Sequence, residues 1–165
     1  MYGNDGNDAL FGDAGNDFLS GDAGDDIMAG AGGDDTLMGG ERSDTYQFST
    51  GCGSDIVNDT GAAGGTDMIQ FNKSVSRDTI AFFQNDSDLH IAYGDTDYIT
   101  ALNQDTAGIE RVQATNGWFL TDAEINTVIQ QITAYATNHG LTLTSAHEVK
   151  NNQDLMNIIV SAWHQ

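Results

Sequence analysis

Aspartate returns every nine residues at the start of this chain, at Asp8, Asp17, Asp26, Asp35 and Asp44. After a two-residue shift it returns in weaker form at Asp55, and a last trace carries Asp67. Each of the first five stands at the sixth place of a unit that opens on glycine: GNDGNDALF (3–11), GDAGNDFLS (12–20), GDAGDDIMA (21–29), GAGGDDTLM (30–38) and GGERSDTYQ (39–47). The weaker copies are TGCGSDIVN (50–58) and GGTDMIQ (64–70). Carboxylates at fixed spacing, set among residues that let backbone carbonyls turn toward one centre, are a donor set for a hard cation. Calcium, with six to eight oxygen ligands and tolerant geometry, suits them better than magnesium with its strict octahedron. Zinc would want His or Cys, and the repeat has neither at a repeated position.

The elements that position these carboxylates follow from the eighth place of each unit, which is Leu10, Leu19, Met28, Leu37, Tyr46, Val57 and Ile69. One inward apolar side chain per unit fits a three-residue strand followed by a six-residue glycine-rich turn. Two units make one coil of 18 residues, and coils stack at the roughly 4.8 Å spacing of paired strands. Each unit then lies over the unit two places on. This stacking predicts two files of carboxylates, Asp8, Asp26, Asp44 and Asp67 on one edge and Asp17, Asp35 and Asp55 on the other. Like charges held that close repel by several kcal/mol at low effective dielectric unless a cation lies between them.

Composition points the same way. Five basic residues against 25 acidic ones give a net charge of −20, which argues against nucleic acid and other polyanions as partners and for cations. The first 60 positions hold 13 of the 20 glycines and 13 Asp/Glu with Arg42 as their single base, so the chain changes character near Thr60. Proline is absent, and Cys52 is the only cysteine, which excludes a disulfide framework within the chain. No apolar run is long enough to span a bilayer, and no N-terminal signal peptide is expected. The chain opens in mid-register at Met1-Tyr2-Gly3-Asn4, as a piece of a longer polypeptide would.

The units GNDGND, GDAGND, GDAGDD and GAGGDD, each followed by x-L-x or its like, resemble the nonapeptide GGxGxDxUx of the RTX (repeats-in-toxin, haemolysin-type calcium-binding) family. The likeness covers residues 3 to about 58 and extends weakly to Gln70. It implies an all-β fold, a calcium-binding parallel β-roll over 3–70, with a β-strand cap over 71–120 and a helical flank with two capping helices over 121–165. It implies that each calcium lies between turns of adjacent coils, held by the sixth-place aspartates of both and by backbone carbonyls of the first four places. Carried onto this chain, the aspartates are Asp8, Asp17, Asp26, Asp35, Asp44, Asp55 and Asp67. The carbonyls belong to Gly3, Asn4, Asp5 and Gly6, to Gly12, Asp13, Ala14 and Gly15, and to Gly21, Asp22, Ala23 and Gly24. Those of Gly30, Ala31, Gly32 and Gly33, and of Gly39, Gly40 and Glu41, complete the set. Four ions are expected, with the pair Asp44 and Asp67 as the candidate for a fifth. Arg42, in place of the fourth glycine of its unit, is the departure that weakens its site.

Past Asp78 the sequence turns to ordinary strands, DTIAFFQ, DLHIAYG, DYITAL, IERVQAT and GWFLT, which read as an antiparallel cap over the open end of the solenoid. Thr121-Asp122-Ala123-Glu124 has the form of a capping box. Ile125, Val128, Ile129, Ile132 and Tyr135 then keep one apolar face until Asn138-His139-Gly140. Leu155, Met156, Ile159, Ala162 and Trp163 mark a second amphipathic helix. IERVQATNGWFLTDAEI and LMNIIVSAW resemble the cap and tail of large RTX toxins of the adenylate cyclase toxin-haemolysin kind, whose tails carry an uncleaved type I secretion signal.

Other chemistry is weakly supported. Asp59-Thr60-Gly61-Ala62 matches an aspartic-protease loop without the half-size protease scaffold around it. His147-Glu148 begins like a zincin helix, but Asn151 stands where the second histidine is needed. Cys52 reads as a spectator thiol, the four histidines as surface or lightly buried, and Trp118 and Phe119 as core of the cap. The sequence therefore predicts no enzyme. It predicts a monomeric module that is disordered at low calcium and folds on calcium outside the cell. Its partners are calcium ions and, through the tail, the type I secretion machinery, with no nucleic acid partner and a secreted location. The competing reading is a carbohydrate- or peptide-binding adhesin or R-type module that uses the β-roll surface.

Overall fold

The computed structural model describes residues 1–59, 65–104 and 108–165. Thr60, Gly61 and Ala62 of the Asp-Thr-Gly stretch, and Gly64 of the last repeat trace, lie outside the described residues. The repeat block forms β1 (Tyr2–Asp5), β2 (Ala9–Phe11), β3 (Phe18–Ala23), β4 (Ile27–Ala29), β5 (Thr36–Glu41), β6 (Thr45–Phe48), β7 (Ser54–Val57) and β8 (Met68–Phe71). Odd-numbered strands pair in parallel in one sheet and even-numbered strands in the other, so the chain alternates strand and turn around a thin core. This is a parallel β-roll.

The register places eighth-place residues directly over one another. Leu10 faces Met28, Met28 faces Tyr46 and Tyr46 faces Ile69 in one sheet. Leu19 faces Leu37, and Leu37 faces Val57, in the other. Leu19, Met28, Leu37, Tyr46, Val57 and Ile69 are completely buried, because in each short strand only the middle side chain points inward. The strands are not all as short as the repeat spacing predicts. β3 and β5 each run for six residues, continuing through the first three places of the next unit.

Beyond the repeats come β9 (Ala81–Asn85), β10 (Asp88–Tyr93), β11 (Asp97–Ala101), β12 (Arg111–Gln113) and β13 (Phe119–Thr121). They do more than abut the roll. β9, β10 and β11 are antiparallel to one another, but β11 pairs in parallel with β7, and β12 pairs in parallel with β8. Each sheet of the roll is thereby extended by one more parallel rung before it reverses, which covers both exposed sheet edges at that end. One buried cluster runs from Leu10 through Val112 and Leu120 to Trp163.

Three helices follow where the sequence pattern predicts two: α1 (Asp122–Asn138), α2 (Ala146–Lys150) and α3 (Gln153–Ala162). α2 has only Ala146 and Val149 buried, too little periodicity in five residues to stand out in the sequence. α1 opens on the expected capping box, with the Glu124 carboxylate accepting from the Thr121 N–H at 2.9 Å and from its hydroxyl at 2.7 Å. Trp118 and Phe119 are half-buried and lie under guanidinium groups, Arg77 at 3.8 Å from the Trp118 ring centre and Arg111 at 3.9 Å from that of Phe119. No helix among the described residues is long and apolar enough to cross a membrane.

Candidate metal centre

Two ladders of side-chain acceptors cross the turns in opposite directions. At the sixth place, each backbone N–H donates to the aspartate one coil further on: Asp8 to Asp26 Oδ1 at 2.7 Å, Asp26 to Asp44 Oδ1 at 2.9 Å and Asp44 to Asp67 Oδ1 at 2.7 Å. On the other edge Asp17 donates to Asp35 Oδ1 at 2.8 Å and Asp35 to Asp55 Oδ1 at 3.0 Å. At the fifth place the sense reverses. Asp25 N–H donates back to Asn7 Oδ1, Ser43 N–H to Asp25 Oδ1 and Asp34 N–H to Asn16 Oδ1. The two expected files, Asp8–Asp26–Asp44–Asp67 and Asp17–Asp35–Asp55, are thus in place.

Asp26, Asp35, Asp44, Asp55 and Asp67 each accept through Oδ1 in their ladder, while Asp8 and Asp17 begin the two files as donors only. Oδ2 of Asp8, Asp26, Asp35, Asp44 and Asp55 is buried without a hydrogen-bond partner. Asp26, Asp35, Asp44 and Asp55 are at most 2% exposed. What these oxygens meet is seen at the first-place glycines. A Cβ added at Gly3 would stand 2.8 Å from Asp8 Oδ2 and 2.8 Å from the carbonyl oxygen of Gly21, one coil on. One at Gly12 would stand 2.8 Å from Asp17 Oδ2 and 2.7 Å from the Gly30 carbonyl. Carboxylate and carbonyl oxygens therefore converge on spaces that only glycine leaves clear. Bare acceptors pointed together in a buried place fit a hard cation.

The second and fourth places shape the turn. Asn4, Asp13, Asp22 and Ala31 sit at φ of 71° to 75°, where glycine is the usual residue. Arg42, the departure from the fourth-place glycine, holds the same left-handed region at φ 85°, so the turn is kept at some local strain.

Burial raises these carboxyl groups. Burial first, then the neighbouring carboxylates of the file, lifts Asp26 and Asp35 above the ordinary range and brings Asp44 and Asp55 to about 7. Asp59 is pushed to about 8 by burial and by Asp67 and Asp44 beside it. Burial also raises Asp67 and Glu110.

The structure adds three acids to the expected set. Asp59, 2% exposed, stands with Asp44 and Asp67 so that one carboxylate oxygen of each lies within 4.8 Å of the others. Glu110 continues the first file: the Asp67 N–H donates to its Oε2 at 2.7 Å. Its signal was present in the sequence, since Glu110-Arg111-Val112-Gln113 repeats the acid-x-apolar-Gln order of Asp67-Met68-Ile69-Gln70, and β12 pairs with β8 in that register. On the second file Ile99 takes the corresponding rung opposite Asp55, with no carboxylate. Asp97, 3% exposed, instead accepts the N–H groups of Gly51 at 2.8 Å and Gly53 at 3.1 Å, closing the turn before β7.

The remaining sequence candidates are accounted for by packing. Cys52 is buried and accepts from the Ser49 N–H at 3.3 Å. His147 stacks on Tyr98, and His164 pairs with Glu124 at 2.8 Å.

Acidic turns stacked on a parallel β-roll, with paired unpartnered carboxylate oxygens, define a class of calcium-binding solenoid. Residues 2–37 match the family model of the RTX calcium-binding nonapeptide repeat, in four copies, which supports an RTX-type domain. No curated protein matches the chain.

Proposed function

We propose that this chain is a calcium-driven folding module of a protein secreted by a type I system. The files of buried carboxylate oxygens without partners carry the reading. Each nine-residue unit buries one large side chain, a thin core for nine ordered residues. Burial in the repeats therefore falls well short, and the charge in the turns opposes folding further. An ion that binds only the folded chain shifts the balance toward folding. A site with a dissociation constant near 10⁻⁴ M contributes about 1.4 kcal/mol at ten times that calcium concentration.

Four ions lie between the pairs of units beginning at 3 and 21, 21 and 39, 12 and 30, and 30 and 50. They are held by the sixth-place aspartates and the carbonyls of the first four places. In the low-calcium cytosol the chain stays unfolded and threads outward C-terminus first, with the tail as its address; outside, calcium folds it as a monomer onto the cap. The likeness of the cap and tail to RTX toxins of the adenylate cyclase toxin-haemolysin kind supports this part. The role assigned is structural rather than catalytic.

Circular dichroism during a calcium titration tests the reading. The β signal is expected to appear cooperatively in the millimolar range and to vanish with a chelator. A full β signal before calcium is added would sink the proposal.

A further inference from the structure

We infer that the fifth site, between Asp44 and Asp67 at the junction of roll and cap, is completed by Asp59 and the hydroxyl of Tyr46, donors that the pairwise sites of the repeats do not have. The inference rests on the proposed calcium-driven reading and gives this site a different composition. Asp59 belongs to no repeat position. It comes from the segment that lengthens the last coil, where the step between stacked aspartates grows from 18 residues to 23.

Asp44, Asp59 and Tyr46 are buried and Asp67 is partly buried, and the carboxylates are aimed together. One carboxylate oxygen from each of the three acids lies within 4.8 Å of the others. Asp44 is fully buried and Asp59 is 2% exposed, and Oδ2 of each lacks a hydrogen-bond partner. Tyr46, also fully buried, has an unpartnered hydroxyl as well. A Cβ added at Gly39 would strike both that hydroxyl and Asp44 Oδ2, so the phenol and the carboxylate face one spot. Tyr46 is the only eighth-place residue with a polar head, and it sits in the coil whose aspartate meets Asp59. Among the described residues neither ion pair involves these acids, and the further charges that act on Asp59 and Asp44 are acids too, Glu110, Asp26 and Asp25.

Three carboxylates and a neutral phenol are hard oxygen donors with no nitrogen or sulfur, which selects calcium over zinc. Affinity in such sites rises with ligand charge, and this site has three carboxylates where a repeat site has two. It therefore fills first, fastening the last coil to β12 before the repeats order. The competing occupant is a proton shared between Asp59 and Asp67, whose side chains are within hydrogen-bonding reach.

The two occupants are separated by titrating calcium into the full chain and its Asp59→Asn variant. The amide that replaces the carboxylate is neutral and isosteric with it, so the change relieves the repulsion and leaves the fold intact. A calcium site predicts that the tightest calcium equivalent weakens at least tenfold in Asp59→Asn while the other equivalents remain. A proton pair predicts an unchanged calcium isotherm, which overturns the inference. As a second measurement, the first equivalent of terbium bound to the full chain is excited through tyrosine. Its emission is expected to collapse in Tyr46→Phe, and unchanged emission would count against the site. If the unmodified chain binds no calcium at all, the broader proposal fails instead.

Discussion

The Asp67 N–H donates to Glu110 Oε2 at 2.7 Å, across 43 residues of chain, in the same register in which the Asp44 N–H donates to Asp67 Oδ1. A glutamate of the cap thus finishes a ladder begun by the repeats. The last N–H of the file sits at a half-buried turn, and an acceptor lost there costs about 1–3 kcal/mol.

Glu110→Ala at saturating calcium is expected to lower the unfolding free energy by that amount, read as a lower urea midpoint. Glu110→Gln, which keeps an oxygen at the same reach, is expected to stay close to the parent chain. Equal midpoints for the two variants would show that the ladder ends at Asp67.

Glycine at two places of the repeat has opposite tolerance. A Cβ at Gly21 would stand 2.7 Å from the Gly39 carbonyl and closer still to Asp26 Oδ2, in the space where the unpartnered oxygens converge. At Gly32 the nearest atom to an added Cβ is the Gly51 carbonyl at 3.6 Å, ordinary contact, and the equivalent third places already hold Ala14 and Ala23. Gly21→Ala should therefore move the calcium midpoint of folding several-fold upward. Gly32→Ala should leave it unchanged and shift stability by no more than about 0.5 kcal/mol. Comparable effects from both, followed by circular dichroism, would contradict the convergence of ligands at the first place.

Acid is expected to favour the calcium-free fold. Burial holds the Asp44 and Asp55 carboxyls at about 7 in the folded chain, against an ordinary value near 3.8 when unfolded. Between those limits the folded state keeps protons that the unfolded state has released. Stability therefore falls as pH rises through about 4 to 7, and the full charge penalty is present above that window. Each retained proton contributes a slope of about 1.4 kcal/mol per pH unit. Calcium-free protein should show more β signal at pH 5.5 than at pH 8, while its apparent calcium affinity is lower at pH 5.5 because protons compete for the same oxygens. A β signal that weakens on acidification over this range would refute it.

The roll was legible because its spacing is strict. Register at Leu10, Met28 and Tyr46 follows directly from a nine-residue period, and so do both aspartate files. Legibility fades where the step between coils lengthens, to 20 residues at Asp35–Asp55 and 23 at Asp44–Asp67. Asp59 lies in that added length, and nothing local marks it as a neighbour of Asp44. Glu110 kept the repeat's local order but is displaced by the hairpins of β9 to β11, so its place in the file depends on β12 pairing with β8, a contact distant in sequence. The same long-range parallel pairings explain why the cap is joined to the roll instead of merely resting on it.

The C-terminal tail is an anchored part of this fold, which gives a final expectation. Trp163 is 4% exposed and packs 6.1 Å from Phe82, ring centre to ring centre. Next to it, His164 exchanges backbone hydrogen bonds with Phe119, and Tyr135 of α1 donates its hydroxyl to Asp154 of α3 at 2.8 Å. Under the proposed secretion reading, the export address of the unfolded chain is withdrawn once the cap forms. Truncating a buried aromatic of this size costs about 3–5 kcal/mol unless the element can detach on its own. Trp163→Ala at saturating calcium should either lower the urea midpoint correspondingly or, if α3 opens locally, abolish amide protection in 153–165 while β12 stays protected. Hydrogen exchange reads both. Leu141→Ala, at a side chain already 40% exposed, is the control expected to change neither. Unchanged midpoint and unchanged tail protection in Trp163→Ala would mean that the indole does not hold the tail to the cap.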